Sequence, residues 1–195
     1  MLAIICPTAT ACAVVTQKLG GDSAATTSYT IIINMVVALL CPALLPLAHP
    51  QPGLSFVPAF IVIINKVFPL LIMPLFLAWF VRYLMPGFHR RIVSTKDLAF
   101  YMWAVSLAIA IAVTCKALAH SHESMWHVGG IAVVTLVACL FQFGFGRWIG
   151  RHYGVQMEAG QALGQKNTVF IIWLGYTFLS PITAAAGGFY SVWHN

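Results

Sequence analysis

From Ser23 to Asn65 the chain carries no Asp, Glu, Lys or Arg. A stretch of that length without charge lacks the solvated face of a surface helix, and about 20 apolar residues in a helix cross a hydrocarbon core of about 30 Å. Four more charge-free stretches follow, at Val67–Val81, Leu98–Cys115, Ser124–Gly146 and Thr168–Asn195. Of all residues, 61% are hydrophobic and 7% charged, where a soluble domain carries about 25% charged residues. The chain therefore reads as an all-α integral membrane protein. Seven apolar segments are expected, at 2–16, 27–48, 56–83, 97–119, 126–149, 157–179 and 181–194, of which the first and last are short for a full span.

Cys6, Cys12, Cys41, Cys115 and Cys139 all lie in apolar segments. An odd, scattered set of this kind reads as small residues for helix contact rather than as a disulfide framework. No positive region precedes the first apolar stretch, so it does not read as a cleaved signal. The formal net charge of +6 needs no nucleic-acid partner, because it is concentrated in particular loops. Arg82, Arg90, Arg91 and Lys96 surround the 84–96 connection, and Arg147 and Arg151 bracket 147–156. The 49–55 connection has no Lys or Arg, and 120–125 has only Glu123 and histidines. The positive-inside rule makes the first two cytoplasmic, and alternation adds the 17–26 loop with Lys18. A multi-pass cell-membrane protein is expected, with 17–26, 84–96 and 147–156 inside.

Two segments are interrupted. Gly164-Gln165-Lys166-Asn167 puts a lysine in the middle of 157–179, with Gln161 one turn earlier. A lysine near the bilayer centre costs roughly 2.5–3.5 kcal/mol on insertion scales, so it is retained where something uses or pairs it. The first segment contains Cys6-Pro7-Thr8-Ala9-Thr10-Ala11-Cys12. Its proline donates no backbone hydrogen bond, and nearby hydroxyls can satisfy the freed groups. Interrupted segments in two halves point to a secondary transporter's midplane site, where half-helix ends present their dipoles to ions or charged substrate groups. If 157–179 is continuous up to the lysine, Glu158, Gln161, Ala162, Gln165 and Lys166 share an arc of about 140° and form a polar stripe facing a cavity.

Three stretches together resemble the bile acid:sodium symporter family in order and separation: Cys6-Pro7-x-x-Thr10-Ala11, Gly164-Gln165-Lys166-Asn167, and the closing Phe189-Tyr190-Ser191-Val192-Trp193-His194-Asn195. The resemblance implies a helical bundle of inverted-repeat transporter type with two broken, crossing helices. It implies about ten spans in two inverted repeats of five, of which this chain covers the fourth to the tenth. The missing N-terminal half of the same transporter is then an expected partner, beside the lipid bilayer and an organic-anion substrate. Core-domain helices are implied at 1–48 and 126–195, the latter including the broken helix 157–179, with panel-domain helices at 56–119. The implied activity is secondary active transport of an organic anion, bile-acid-like or a small carboxylate, by alternating access, and not an enzymatic reaction.

The chain departs from the family pattern at both breaks. Sodium-coupled members usually read Thr-Ala-Ser-Asn at the first and Glu-x-Gly-x-Gln-Asn at the second. Here the first reads Thr10-Ala11-Cys12-Ala13, and the second has Ala162 and Lys166 at the glutamate and glutamine positions. Sodium is a hard cation that takes oxygen ligands, and a thiol and a methyl group supply none. Thr26 and Thr30 on the next helix offer hydroxyls, and sliding the second alignment by four offers Glu158 as the carboxylate. The ion and substrate site is thus expected at Thr10, Cys12, Thr26, Thr30, Glu158, Gln161, Gln165, Lys166 and Asn167. In it the Lys166 ammonium takes the electrostatic place of bound sodium. Uptake is then sodium-independent, or coupled to a proton that a buried amine exchanges. Beyond a sodium ion or a proton for coupling, no cofactor is expected.

Asn65 and Lys66, deep in 56–83, mark a candidate substrate path. Pro42, Pro46, Pro69 and Pro74 read as kinks, and Gly129-Gly130 and Gly187-Gly188 as close helix contacts. His120-Ser121-His122-Glu123 with His127 lacks the His-Glu-x-x-His spacing and reads as a solvated external loop. Two rival functions use the same residues. A retinal-type protein would build its Schiff base on Lys166 but needs an intramembrane carboxylate counter-ion, and Asp22, Asp97, Glu123 and Glu158 lie in loops or at segment ends. A metal-dependent membrane protein would use the external histidines, which do not make a convincing ligand set.

Overall fold

The structure is a computed structural model that describes residues 1–50, 55–95, 97–121 and 123–195. Part of the 49–55 connection, Lys96 of the basic loop and His122 of the histidine loop lie outside the described residues. Among the described residues the fold is all-helical, with α1 Leu2–Ile5, α2 Cys12–Lys18, α3 Ser23–Ala48, α4 Phe56–Leu84, α5 Pro86–Ser94, α6 Leu98–Ala119, α7 Met125–His152, α8 Gln156–Gly164, α9 Thr168–Phe178 and α10 Pro181–His194. Four of these, α3, α4, α6 and α7, are long and apolar enough to cross a membrane. The chain is therefore a membrane-associated, multi-pass helical protein.

Local chemistry explains several helix ends. Asp22 Oδ1 accepts the Ala24 and Ala25 N–H groups at the start of α3, and Ser124 Oγ accepts Trp126 N–H at the start of α7. Ser180 caps α10 at Thr183 N–H, followed by Pro181 in the first turn, where proline's missing N–H costs nothing. Gly20 (φ 88°) and Gly154 (φ 71°) follow the ends of α2 and α7 in left-handed backbone, the conformation that stops a helix and that glycine adopts without strain. Four prolines lie inside helices that stay continuous, Pro42 and Pro46 in α3 and Pro69 and Pro74 in α4.

The interrupted segments at 2–16 and 157–179 are each two short helices joined by an unwound link, α1/α2 and α8/α9. Sequence and structure differ at two other places. The 84–96 connection contains a helix of its own, α5, started by Pro86 at its first position. Gly129 and Gly130 face open space, so they are not close contacts; only the Gly187-Gly188 pair is, with a Cβ on Gly187 falling 2.7 Å from Ile172 and one on Gly188 meeting Thr114.

The chain divides into two compact units, one of 1–30 with 99–195 and one of 31–98. In the first, α7 packs on α8 and α10, and α9 packs on α10. Small residues set these contacts: a Cβ on Gly150 would stand 2.7 Å from Ala159 Cβ, and one on Gly175 would stand 2.7 Å from Ala184 Cα. Ala110 of α6 joins Ile172 and Ala184 in a buried apolar cluster. In the second unit α4 carries one buried stripe at helical spacing, Ala59, Ile63, Val67 and Leu71. The unit boundaries fall within α3 and at the start of α6, whereas the resemblance divides the chain at 1–48, 56–119 and 126–195.

Candidate functional site at the helix crossing

α1 stops at Ile5 ahead of Pro7, and α8 stops at Gly164. A Cβ at Gly164 would overlap the Phe143 ring, so only glycine brings α8 this close to α7. The two unwound links run antiparallel and pair, Thr8 facing Lys166. Ala9 N–H donates to Gln165 O at 2.9 Å, and Asn167 N–H donates to Pro7 O at 2.9 Å. Each broken helix thus supplies backbone partners that the other has lost.

In lipid every unsatisfied backbone group costs several kcal/mol, so a stable break must account for all of them. Side chains satisfy several that remain. Thr8 Oγ1 donates to Ala162 O at 2.6 Å, and Tyr190 OH donates to Gly164 O at 2.8 Å. Gln142 Nε2 donates to Tyr190 OH at 3.1 Å and lies 3.2 Å from Ala3 O. Asn167 Oδ1 accepts Phe170 N–H at 3.0 Å and so caps α9. Gln142 thereby reaches one broken helix directly and the other through Tyr190. Hydroxyls near Pro7 were expected to satisfy its freed groups; Thr8 instead serves the opposite helix.

Lys166 is 4% exposed, with no hydrogen bond or ion pair to its ammonium among the described residues. It lines a cavity of about 410 Å³. The polar residues lining that cavity are Thr10, Lys166, Asn167 and Thr168, with His194 and Asn195 from the end of α10 and Ser106 of α6. The apolar wall is α6, through Met102, Trp103 and Leu107. Thr168 and Val169, the first residues of α9, also face it. The first-turn donors of a helix have no intrahelical partner. Those of Asn167 and Phe170 are occupied by Pro7 O and Asn167 Oδ1, which leaves the N–H groups of Thr168 and Val169 at the cavity. An ammonium beside a helix N-terminus is an arrangement that suits an anion.

The other expected site residues are placed differently. Cys12 is buried at the start of α2, its sulfur 4.0 Å from Thr16 Oγ1. Thr26 and Thr30 are buried, and their hydroxyls donate one turn back, to Asp22 O and Thr26 O, both at 2.8 Å. Glu158 is in the first turn of α8, where its Oε1 accepts Asp22 N–H at 2.7 Å. It closes the 17–26 link onto α8 and, six residues ahead of Gly164, stands about 9 Å along the helix from the crossing. The continuous polar stripe does not form, because α8 ends at Gly164 and Gln165 is extended, which turns Gln165 and Lys166 out of the helical arc. Among the described residues, Gln161 and Gln165 each hold a buried Oε1 that accepts no hydrogen bond, and His194 a buried Nδ1 without a partner. Asn65 and Lys66 are exposed on α4, in the other unit.

His120, Glu123 and His127 of the histidine loop are exposed. His120 Nδ1 lies 2.9 Å from Lys116 O, and His127 Nδ1 lies 3.1 Å from Glu123 Oε2. Among the described residues no group of three or more His, Cys, Asp or Glu side chains is placed to hold a metal ion. Comparison of the chain with protein-family models, curated proteins and solved structures gives no match in any of the three.

Gln142 and Tyr190 were not expected at the site. Gln142 is the lone amide in the charge-free stretch Ser124–Gly146, and a buried amide in an apolar helix demands a partner. That signal marks the residue; only the fold names Tyr190 and Ala3 as what it meets.

Proposed function

We propose that the chain forms the substrate-binding part of a secondary active transporter for an organic anion, bile-acid-like or a small carboxylate, working by alternating access. The observation that carries this reading is the paired crossing of two broken helices with Lys166 at its centre, on a cavity that also receives the N-terminus of α9. The substrate's carboxylate accepts hydrogen bonds from the Lys166 ammonium and the free first-turn N–H groups of α9, and its apolar body lies along Met102, Trp103 and Leu107. Movement of α6 against the crossing would open the cavity to one side and then the other. The resemblance to the bile acid:sodium symporters at three stretches supports the same reading. So does the charge of the connections, which puts 17–26, 84–96 and 147–156 on the cytoplasmic side of the cell membrane.

Lys166 stands where the family's glutamine does, and its fixed charge replaces bound sodium. The carboxylate at the family's other position is absent, since Ala162 occupies it and Glu158 is engaged at the far end of α8. A second reading has one observation in its favour: the buried oxygens of Gln161 and Gln165 lack donors, and oxygens of that kind suit a hard cation. The two readings part on whether uptake needs sodium. Transport itself is tested by uptake into cells expressing the full-length protein, using an organic carboxylate and an organic cation of matched size. Saturable accumulation of the carboxylate alone is expected. Equal uptake of the cation, or no saturable uptake of any carboxylate offered, contradicts the proposal.

A further inference from the structure

We infer that α5 is a surface-lying helix that binds the anionic headgroups of the bilayer leaflet next to it. Three observations lead there. No residue of α5 is buried against the rest of the protein. At about 100° per residue, Phe88, Ile92 and Val93 fall within an arc of about 140° that also holds His89, while Arg90, Ser94 and Arg91 occupy the opposite side. The apolar face is open, with Phe88 50% and Val93 68% exposed. An amphipathic helix with apolar side chains on one face and arginines on the other is the form that lies in a membrane interface.

Chain continuity puts the helix at such an interface. Only Met85 separates Leu84, the last residue of the apolar span α4, from Pro86. Arg82, in the last turn of α4, adds a third cation, and its guanidinium lies 5.6 Å from the Tyr83 ring centre. Tyrosines and arginines flanking an apolar span belong at headgroup depth. A protein partner fits less well, because three apolar side chains fall far short of the roughly 800 Å² per side that a stable protein interface buries. A leaflet rich in anionic lipid matches both faces, taking Phe88, Ile92 and Val93 among the acyl carbons and the arginines among the phosphates.

Each arginine near an anionic surface strengthens such binding about fivefold, and salt weakens it. The inference is independent of what the protein transports, so its test needs no substrate. The full-length protein is placed in nanodiscs of phosphatidylcholine, or of phosphatidylcholine with phosphatidylglycerol, and amide exchange is followed across 86–94. Exchange is expected to be at least about fivefold slower in the anionic discs, and the difference to vanish in high salt and in R90Q/R91Q. Exchange in α7 serves as the control for folding. Equal exchange of 86–94 in both lipids, or slowing that survives R90Q/R91Q with α7 intact, overturns the inference.

Discussion

Pro7 and Pro69 each remove one backbone donor, yet the chain answers them differently. At Pro7 the helix has already stopped at Ile5 and does not resume until Cys12, whereas α4 runs unbroken through Pro69 and Pro74. Proline alone therefore does not set the break. What distinguishes the first link is a second unwound link to pair with, and the side chains of Thr8, Tyr190 and Gln142 to satisfy freed carbonyls. The two intramembrane lysines divide in the same way. Lys166 is buried at the break and faces a cavity, while Lys66 is exposed on the continuous helix. A break in an apolar helix persists where it has been given partners, and the buried lysine lies there.

The lysines give the largest test of that contrast. Lys166→Met removes the ammonium proposed to meet the substrate's carboxylate and is expected to lower uptake by about 100-fold, the scale of losing one partner of a buried charge pair. Lys66→Met is expected to lower it by no more than about threefold, the scale of a rim charge. Equal losses at the two positions would erase the comparison.

Tyrosines give the next. Tyr190→Phe leaves Gly164 O without its donor and removes one of the acceptors of Gln142 Nε2, and should cost about 1–3 kcal/mol of stability. Tyr83→Phe on α4, at an exposed position, should stay within about 0.5 kcal/mol. Thermal unfolding in one detergent measures both, and a Tyr190→Phe protein as stable as the parent would show that the Gly164 carbonyl needs no partner.

The prolines themselves should matter least. Pro69→Ala in the already continuous α4 is expected to leave helix content unchanged. Pro7→Ala restores a donor without rejoining α1 and α2, because Ala9 and Pro7 O remain tied to the other link. A gain of helix by circular dichroism in Pro7→Ala would mean that proline, and not the pairing, holds the break open.

Spans and breaks were legible in the sequence because they depend on local chemistry: missing charge, a proline, a glycine before a lysine. The four long helices and both interruptions follow from those signals. α5 was not legible, since its arginines read as loop charge and its nine residues are too few for hydropathy to mark. Glu158 entered the expected site through a four-residue slide of the alignment, and the helical arc it was to share with Lys166 ends at Gly164 where Phe143 closes on α8. Gln142 and Tyr190 were out of reach because their role depends on partners 48 and 26 residues away, at Tyr190 and Gly164. Asn167 is the converse case, a residue of the break that also caps α9 locally.

Lys166 is the proposed fixed charge of an anion transporter. Its most direct test is uptake of an organic carboxylate by the full-length protein with external sodium replaced by choline, in the parent and in Lys166→Gln. The parent is expected to transport equally in sodium and in choline, and Lys166→Gln to lose uptake in choline. Strict sodium dependence of the parent would contradict the account and assign the buried Gln161 and Gln165 oxygens to a cation.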